Sequence, residues 1–226
     1  MFIFVTYSQQ FSAMIKKAVL NELIKSYDLV GLEQHLIYAY LLNHQLDYLR
    51  SPILATYFDN FLQNPALFFD TSSLEIETIK ELENYLELII PSSDRKLNGA
   101  FFTPDYIIDF IINEVKPQSN DKNLDPSCGC GAFLVGVTDY YKRTFNKSIR
   151  SIIQENIFGS DILVYNIRRT KLILAIYALQ HDEILEESDF NLFHQDSLKA
   201  TWKLSFDTIV GNPPYVKFQD LSDYFK

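Results

Sequence analysis

The sequence predicts an α/β protein: an open, doubly wound parallel sheet preceded by an α-helical N-terminal domain. Three observations predict it. Four short apolar runs each end on a polar side chain, at Asp125, Asp161, Asp196 and Asn212. Apolar helical spans follow the first two of these runs, and alternating strand and helix signals are the signature of parallel βαβ units. Residues 8–90 instead carry apolar spacing of threes and fours, the helical period.

Composition sets the outer limits. A chain of 226 residues is long enough for one large or two small domains. Its 18 Phe and 14 Tyr supply ample core. The net charge of −9 is a poor match to a phosphate backbone, so any contact with nucleic acid needs basic surface from another segment. The N-terminus lacks the basic region of a signal peptide, and no apolar run reaches membrane-spanning length. Cys128 and Cys130 are two apart within one glycine turn, and no second pair or neighbouring His completes a zinc set. They read as reduced thiols of a cytoplasmic protein.

The N-terminal domain is assigned to residues 1–98. Leu32, Leu36, Tyr40 and Leu41 share one helix face, as do Ile76, Ile79, Leu82, Leu86 and Ile89. Ser51-Pro52 and Asn64-Pro65 mark helix boundaries. The aromatic residues here read as packing, and His35 and His44 need no chemical role. The polar stretch from Pro91 to Gly99 reads as the boundary to a second domain, 99–226.

Thr103-Pro104-Asp105 opens a helix that buries Ile107, Ile108, Ile111, Ile112 and Val115. Thr103 suits the N-cap, Pro104 the first helical position and Asp105 the positive helix end. Two readings stand for Thr103: a cap alone, or a hydroxyl that receives a small carboxylate at the helix end.

Leu124 to Leu134 reads as strand, glycine turn and helix. Gly129 and Gly131 allow close approach of a ligand to the backbone. The turn lacks the third glycine of a dinucleotide fingerprint and the Lys-Ser/Thr pair of a phosphate loop. Asp125 would repel phosphate and attract an ammonium, so the turn suits the zwitterionic end of an amino acid. Asn156 to Ile162 is a second strand ending on Asp161, placed as the acids that bind ribose hydroxyls are. Arg168, Arg169 and Lys171 read as the solvated face of the following helix. Asn191 to Leu198 is a third strand ending on Asp196, which can accept from an adenine amine; His194 reads as structural.

The fourth strand, Phe206 to Val210, runs into Gly211-Asn212-Pro213-Pro214-Tyr215. The prolines stop both helix and ladder. Asn212 offers a side-chain oxygen, Pro213 a backbone carbonyl and Tyr215 a flat apolar face. Two acceptors and a stacking ring suit a planar ring bearing an exocyclic amine; a strand-ending turn is the structural alternative.

Taken together, these residues resemble the N6-adenine DNA methyltransferases of bacterial restriction-modification systems. The matching pieces are Phe102-Thr103-Pro104, the Asp125 to Leu134 turn, Gly159-Ser160-Asp161, Gln195-Asp196-Ser197-Leu198 and Gly211 to Tyr215, in the family's common order. The resemblance implies a Rossmann-like methyltransferase sheet, with S-adenosyl-L-methionine as methyl donor and double-stranded DNA as substrate. It implies cofactor contacts from Phe102 and Thr103, with Thr103 on the methionine carboxylate. Asp125, Pro126, Cys128, Gly129 and Gly131 would hold the methionine end. Asp161 would take the ribose, Ile162 would pack on the adenine, and Asp196 with Ser197 would meet its amine. The target adenine, flipped from the duplex, would donate to Asn212 and the Pro213 carbonyl beside Pro214 and stack on Tyr215. No metal is implied.

The family pattern continues past Tyr215 with further strands and a DNA-reading domain, whereas only Val216 to Lys226 remain here. The expectation is therefore a truncated, split or fragmentary enzyme. It would depend on a partner, such as restriction and specificity subunits or a segment carrying the remaining strands, and would be inactive alone. Two rivals stand beside this reading: a non-catalytic subunit that binds cofactor, and a methyltransferase acting on protein glutamine or an RNA guanine amine, which shares the Asn-Pro-Pro-Tyr end. The Thr-Pro and glycine-turn segments argue against the latter.

Overall fold

The computed structural model describes residues 20–21, 24–59, 74–90 and 103–213. The polar break at 91–99, Asn64-Pro65, Phe102, Pro214 and Tyr215 lie outside the described residues. The chain forms two compact units, Met1–Tyr48 with Ala55–Ile89, and Leu49–Leu54 with Ile90–Lys226.

The described part of the first unit is mostly helical. Asp28 caps helix α1 (Leu29–Asn43), its Oδ1 accepting from Gly31 N at 2.8 Å. This helix buries Leu36, Ile37, Tyr40 and Leu41. It also buries Glu33, which accepts from the Tyr57 hydroxyl at 2.7 Å. His35 Nδ1 lies 2.7 Å from the Gly31 carbonyl and His44 Nε2 3.2 Å from that of Ile76, so both rings serve the backbone. Helix α2 (Pro52–Phe58), whose first residues up to Leu54 count with the second unit, begins at the Ser51-Pro52 boundary, where Ser51 Oγ accepts from Leu54 N. The expectation of helix throughout is corrected at residues 74–77, which have no helical structure. There burial alternates, with Leu74 and Ile76 inside and Glu75 and Glu77 outside. Thr78 ends that run and starts α3 (Ile79–Leu88) by accepting from Glu81 N at 3.0 Å.

The second unit holds the sheet. Helix α4 (Asp105–Val115) leads to β1 (Asn123–Asp125) and α5 (Ala132–Phe145). Then come α6 (Ile149–Glu155), β2 (Ile157–Asp161), α7 (Val164–Gln180), β3 (Leu192–His194) and β4 (Thr208–Ile209). All strand pairs are parallel, in the order β3-β2-β1-β4. The chain thus steps outward from β1 to β3 and returns to the other side of β1, which makes a topological switch point between β1 and β4.

Helices α5 and α7 pack on the sheet and on each other. Helix α7 is buried nearly all round, from Leu172 through Leu179. Helix α4 lies close against α5: a Cβ on Gly136 would come within 2.7 Å of Ile108 Cγ2.

Four expectations in this unit are corrected. Helix α4 begins at Asp105 with Pro104 in the capping position and no side-chain cap bond, so Thr103 is not the cap. Its outward Val115 is 41% exposed, because only Ile108 and Ile112 reach the core. Arg169 is fully buried rather than solvated. Successive helical residues turn by about 100°, so Arg168 and Lys171 share a face that Arg169 leaves; its guanidinium carbon sits 5.1 Å from the Tyr165 ring centroid. Finally, residues 195–207 form turns with no helix, so the third strand is not followed by a helical crossover. Helix α6, capped by Ser148, was unforeseen.

Candidate functional site

The C-terminal ends of the four strands meet at the switch point. Asp125 and Asp161 are the last residues of β1 and β2. Asp196 lies two residues past β3, and Asn212 three past β4.

Side chains tie these ends together. Ser197 Oγ donates to the Pro126 carbonyl at 2.6 Å and lies 2.9 Å from Ser160 Oγ, which joins the ends of β1, β2 and β3. Gly211 passes so near Asp125 that an added Cβ would lie 2.5 Å from its Oδ1. Asn212 Nδ2 donates to Thr103 Oγ1 at 3.1 Å.

The turn after β1 is built from two left-handed glycines, Gly129 at φ 54° and Gly131 at φ 96°. Both conformations disfavour residues with a Cβ. Thr170 on α7 holds the turn by donating to the Gly129 carbonyl at 2.9 Å, and would crowd a Cβ on Gly131 at 3.1 Å. Asp161 holds it from the strand side, accepting from Gly129 N at 3.0 Å through Oδ2 and from Leu163 N at 2.8 Å through Oδ1. Cys128 points inward, its N–H donating to the Ser160 carbonyl at 2.9 Å. Both cysteines are free thiols and buried. Burial, then the charges of Asp125 and Asp161, push the Cys128 thiol well up, so it stays protonated.

Electrostatically the site is set for a cation. Burial pushes the Asp125 carboxyl up from 3.8 to about 7; the Ser127 N–H opposes this and the Asp161 charge adds to it. Burial also raises Asp161, against the N–H groups of Leu163 and Gly129, the Asn166 side chain and His194. Asp125 and Asp161 are buried at the ends of adjacent strands, and the charged form of each gains if a positive group arrives.

The residues present fit S-adenosyl-L-methionine. A Cβ on Gly129 would meet nothing within 4 Å, so the turn opens onto space. Ser127 Oγ and Asn166 Oδ1 are buried without a hydrogen-bond partner among the described residues. Ile162, at the rim, is 58% exposed although apolar. A cradle, unsatisfied polar atoms, raised acids and an exposed apolar side chain together match a zwitterion carrying a flat base. Asp196 is partly exposed, accepting from Leu198 N at 3.0 Å and pairing with Lys199 at 3.4 Å. Pro213 is exposed.

Sequence reasoning missed Asn166 and Thr170. They are four apart on one face of the helix, and that spacing was the available signal. It also missed Trp202, which stacks edge-on against Phe193 and Phe206, with ring centroids 5.9 Å and 5.2 Å away. Its indole donates to the Ser197 carbonyl at 3.4 Å. Among the described residues no cluster of His, Cys, Asp and Glu could hold a metal, and no helix is long and apolar enough to cross a membrane.

The chain is similar to several known proteins. Over 122 residues the chain is 28% identical to the type I restriction enzyme EcoEI methylase subunit of Escherichia coli, covering 52% of this chain and 24% of that protein. It is 29% identical over 154 residues to the type II methyltransferase M.BstVI of Geobacillus stearothermophilus, covering 57% and 26%. The chain thus spans about a quarter of the length of these curated relatives. Among solved structures, the modification subunit of a putative type I restriction enzyme from Vibrio vulnificus YJ016 aligns at 20% identity and a TM-score of 0.44. That alignment covers 68% of this chain and 34% of the other. The N-6 DNA Methylase family model matches residues 83–222, more than half of the chain and all of the strand-end site, and the chain belongs to that family.

Proposed function

We propose that the strand-end site binds S-adenosyl-L-methionine and directs methyl transfer to N6 of an adenine in double-stranded DNA. The observation that carries this reading is the meeting of a raised, buried acid and a glycine cradle with Asn212 at one sheet end.

S-adenosyl-L-methionine supplies an electrophilic methyl group on a sulfonium when bound. The chain's own residues do the rest. Thr103 meets the methionine carboxylate and Asp125 the ammonium, while the turn around Gly129 and Gly131 lies along the methionine chain. Asp161 has a lone pair left on each oxygen after its two backbone bonds, and these accept from ribose hydroxyls. Ile162 covers a face of the adenine, and Asp196 with the Ser197 N–H reads its edge. Asn212 Oδ1 and the Pro213 carbonyl accept from the target amine, which turns its nitrogen lone pair toward the methyl group. Tyr215 beyond Pro214 stacks on the ring. Such a step needs positioning and aligned dipoles, with no covalent nucleophile.

The partners in this reading are DNA and the restriction and specificity subunits. The net charge of −9 means that basic DNA-binding surface comes from elsewhere in the assembly. Among the described residues strand β4 is at a sheet edge, with Ile209 66% exposed, which supports pairing with strands supplied by another segment or subunit.

The test is transfer of labelled methyl to mixed-sequence double-stranded DNA by residues 1–226 alone and by their complex with those subunits. The expected outcome is N6-methyladenine from the complex, none from the chain alone, and none from the complex carrying Asn212→Ala. Methylation of protein glutamine or RNA guanine in place of DNA adenine overturns the reading.

A further inference from the structure

Gly211, between β4 and Asn212, has a buried carboxyl as its nearest neighbour. A Cβ built on it would lie 2.5 Å from Asp125 Oδ1 and 3.1 Å from Asp125 Cγ. Gly136 and Gly159 are almost as crowded, but at 2.7 Å they meet the tips of Ile108, Leu134 and Leu192, which can give way. Gly129 and Gly131 stand at positive φ, where only glycine is at ease. Gly211 does not, so its backbone admits a side chain and its surroundings refuse one.

A side chain here has one way to make room. The chain before Gly211 is pinned, because Val210 is buried and its N–H donates to the Leu124 carbonyl at 3.0 Å. The chain after it is restricted, because Asn212 precedes Pro213. The Asp125 carboxyl is what must move. It is 2% exposed, and the oxygen nearest Gly211, Oδ1, is the one that accepts from the Ser127 N–H at 3.0 Å. Turning the carboxyl aside breaks that bond.

We propose that Gly211 is a positioning residue for cofactor binding: its missing side chain leaves the room in which Asp125 is held on the Ser127 N–H, ready for the methionine ammonium. What Asp125 meets rests on the proposed function, while the packing of Gly211 on Asp125 does not. The loop that carries Asn212 thereby sets the acid on the cofactor side.

The test compares the 226-residue wild type with Gly211→Ala, Asp125→Ala and the double variant. Each is read twice: exchange of the Ser127 amide proton with water, by 15N NMR, and affinity for S-adenosylhomocysteine, by calorimetry. The Ser127 amide is expected to exchange slowly in the wild type, and as fast in Gly211→Ala as in Asp125→Ala. Gly211→Ala is expected to lower affinity about tenfold. In the Asp125→Ala background the same change should cost about twofold or less, because the methyl group fills space that the carboxyl has left. A glycine with a structural role alone would leave both the amide and the affinity of the folded chain unmoved.

An unprotected Ser127 amide in the wild type overturns the proposal. So does slow Ser127 exchange or full affinity in a folded Gly211→Ala chain, and so do equal losses of affinity in the two backgrounds. If Gly211→Ala does not fold, the double variant decides: folding regained on removal of the carboxyl upholds the contact, and a double variant that stays unfolded overturns it. A folded wild type that binds no S-adenosylhomocysteine sinks the proposed function, and the Ser127 amide then reports on the packing of Gly211 alone.

Discussion

The two ends of one sheet are built on opposite principles. At the N-terminal end polar groups are buried and satisfied. Asn123 Nδ2 donates to the carbonyls of Asp121 and Asn156 at 3.1 Å and to the Tyr141 hydroxyl at 3.0 Å, and its Oδ1 accepts from Thr208. Tyr141 donates onward to the Gln118 carbonyl at 2.6 Å. Lys147 bonds the Ser119 carbonyl and Asn156 Oδ1, both at 2.9 Å. At the C-terminal end, two acids are held at raised pKa, two glycines stand at positive φ, and Ser127 Oγ and Asn166 Oδ1 have no partner among the described residues. The difference separates an end built for stability from the end that the proposed function reads as the ligand site. A fully satisfied buried network rigidifies the fold, whereas a partly satisfied one costs stability and marks a site.

The largest expected effect comes from breaking the satisfied end. Asn123→Leu removes the shared partner of β1, β4 and Tyr141, and should cost about 3 kcal/mol in urea unfolding. S-adenosylhomocysteine affinity of the folded fraction should hold. A neutral Asn123→Leu would erase the contrast between the two ends.

A smaller effect, of opposite sign, is expected at the ligand end. The folded-state pKa of Asp125 is about 7, raised above its ordinary 3.8. Between those values the folded chain keeps a proton that the unfolded chain has lost, so stability falls as pH rises through that window and stays lowered above it. Asp125→Asn keeps the acceptor for the Ser127 N–H and removes the charge. It should raise stability on the order of 2 kcal/mol at pH 8 and by little at pH 4, while weakening S-adenosylhomocysteine binding. Urea midpoints of both proteins across that range check the sign. An Asp125→Asn chain less stable than wild type at pH 8 would contradict it.

Much of the ligand end was legible in the sequence because its constraints are local. An acid that closes an apolar run and a glycine that must turn left leave marks at fixed positions, so Asp125, Asp161, Gly129 and Gly131 stood out. The parallel pairing followed from the alternation of strand and helix. The satisfied end was hidden because its bonds are long-range. Asn123, Asn156 and Tyr141 are ordinary residues whose pairing depends on chain crossing, and no spacing rule brings them together. Arg169 was misread for a related reason: a run of charges looks solvated until helical rotation turns one of them inward. Thr103 was assigned to its own helix because capping is a local rule, whereas its partner lies across the sheet.

The most direct measurement is calorimetric titration of residues 1–226 with S-adenosylhomocysteine, in the wild type and in the Asp161→Ala and Asn212→Ala chains. The predicted result is one site per wild-type chain, a large loss of affinity in Asp161→Ala, and nearly unchanged affinity in Asn212→Ala. A folded wild-type chain that does not bind, or equal losses from both substitutions, would contradict the assignment of cofactor and target amine to separate halves of the strand-end site.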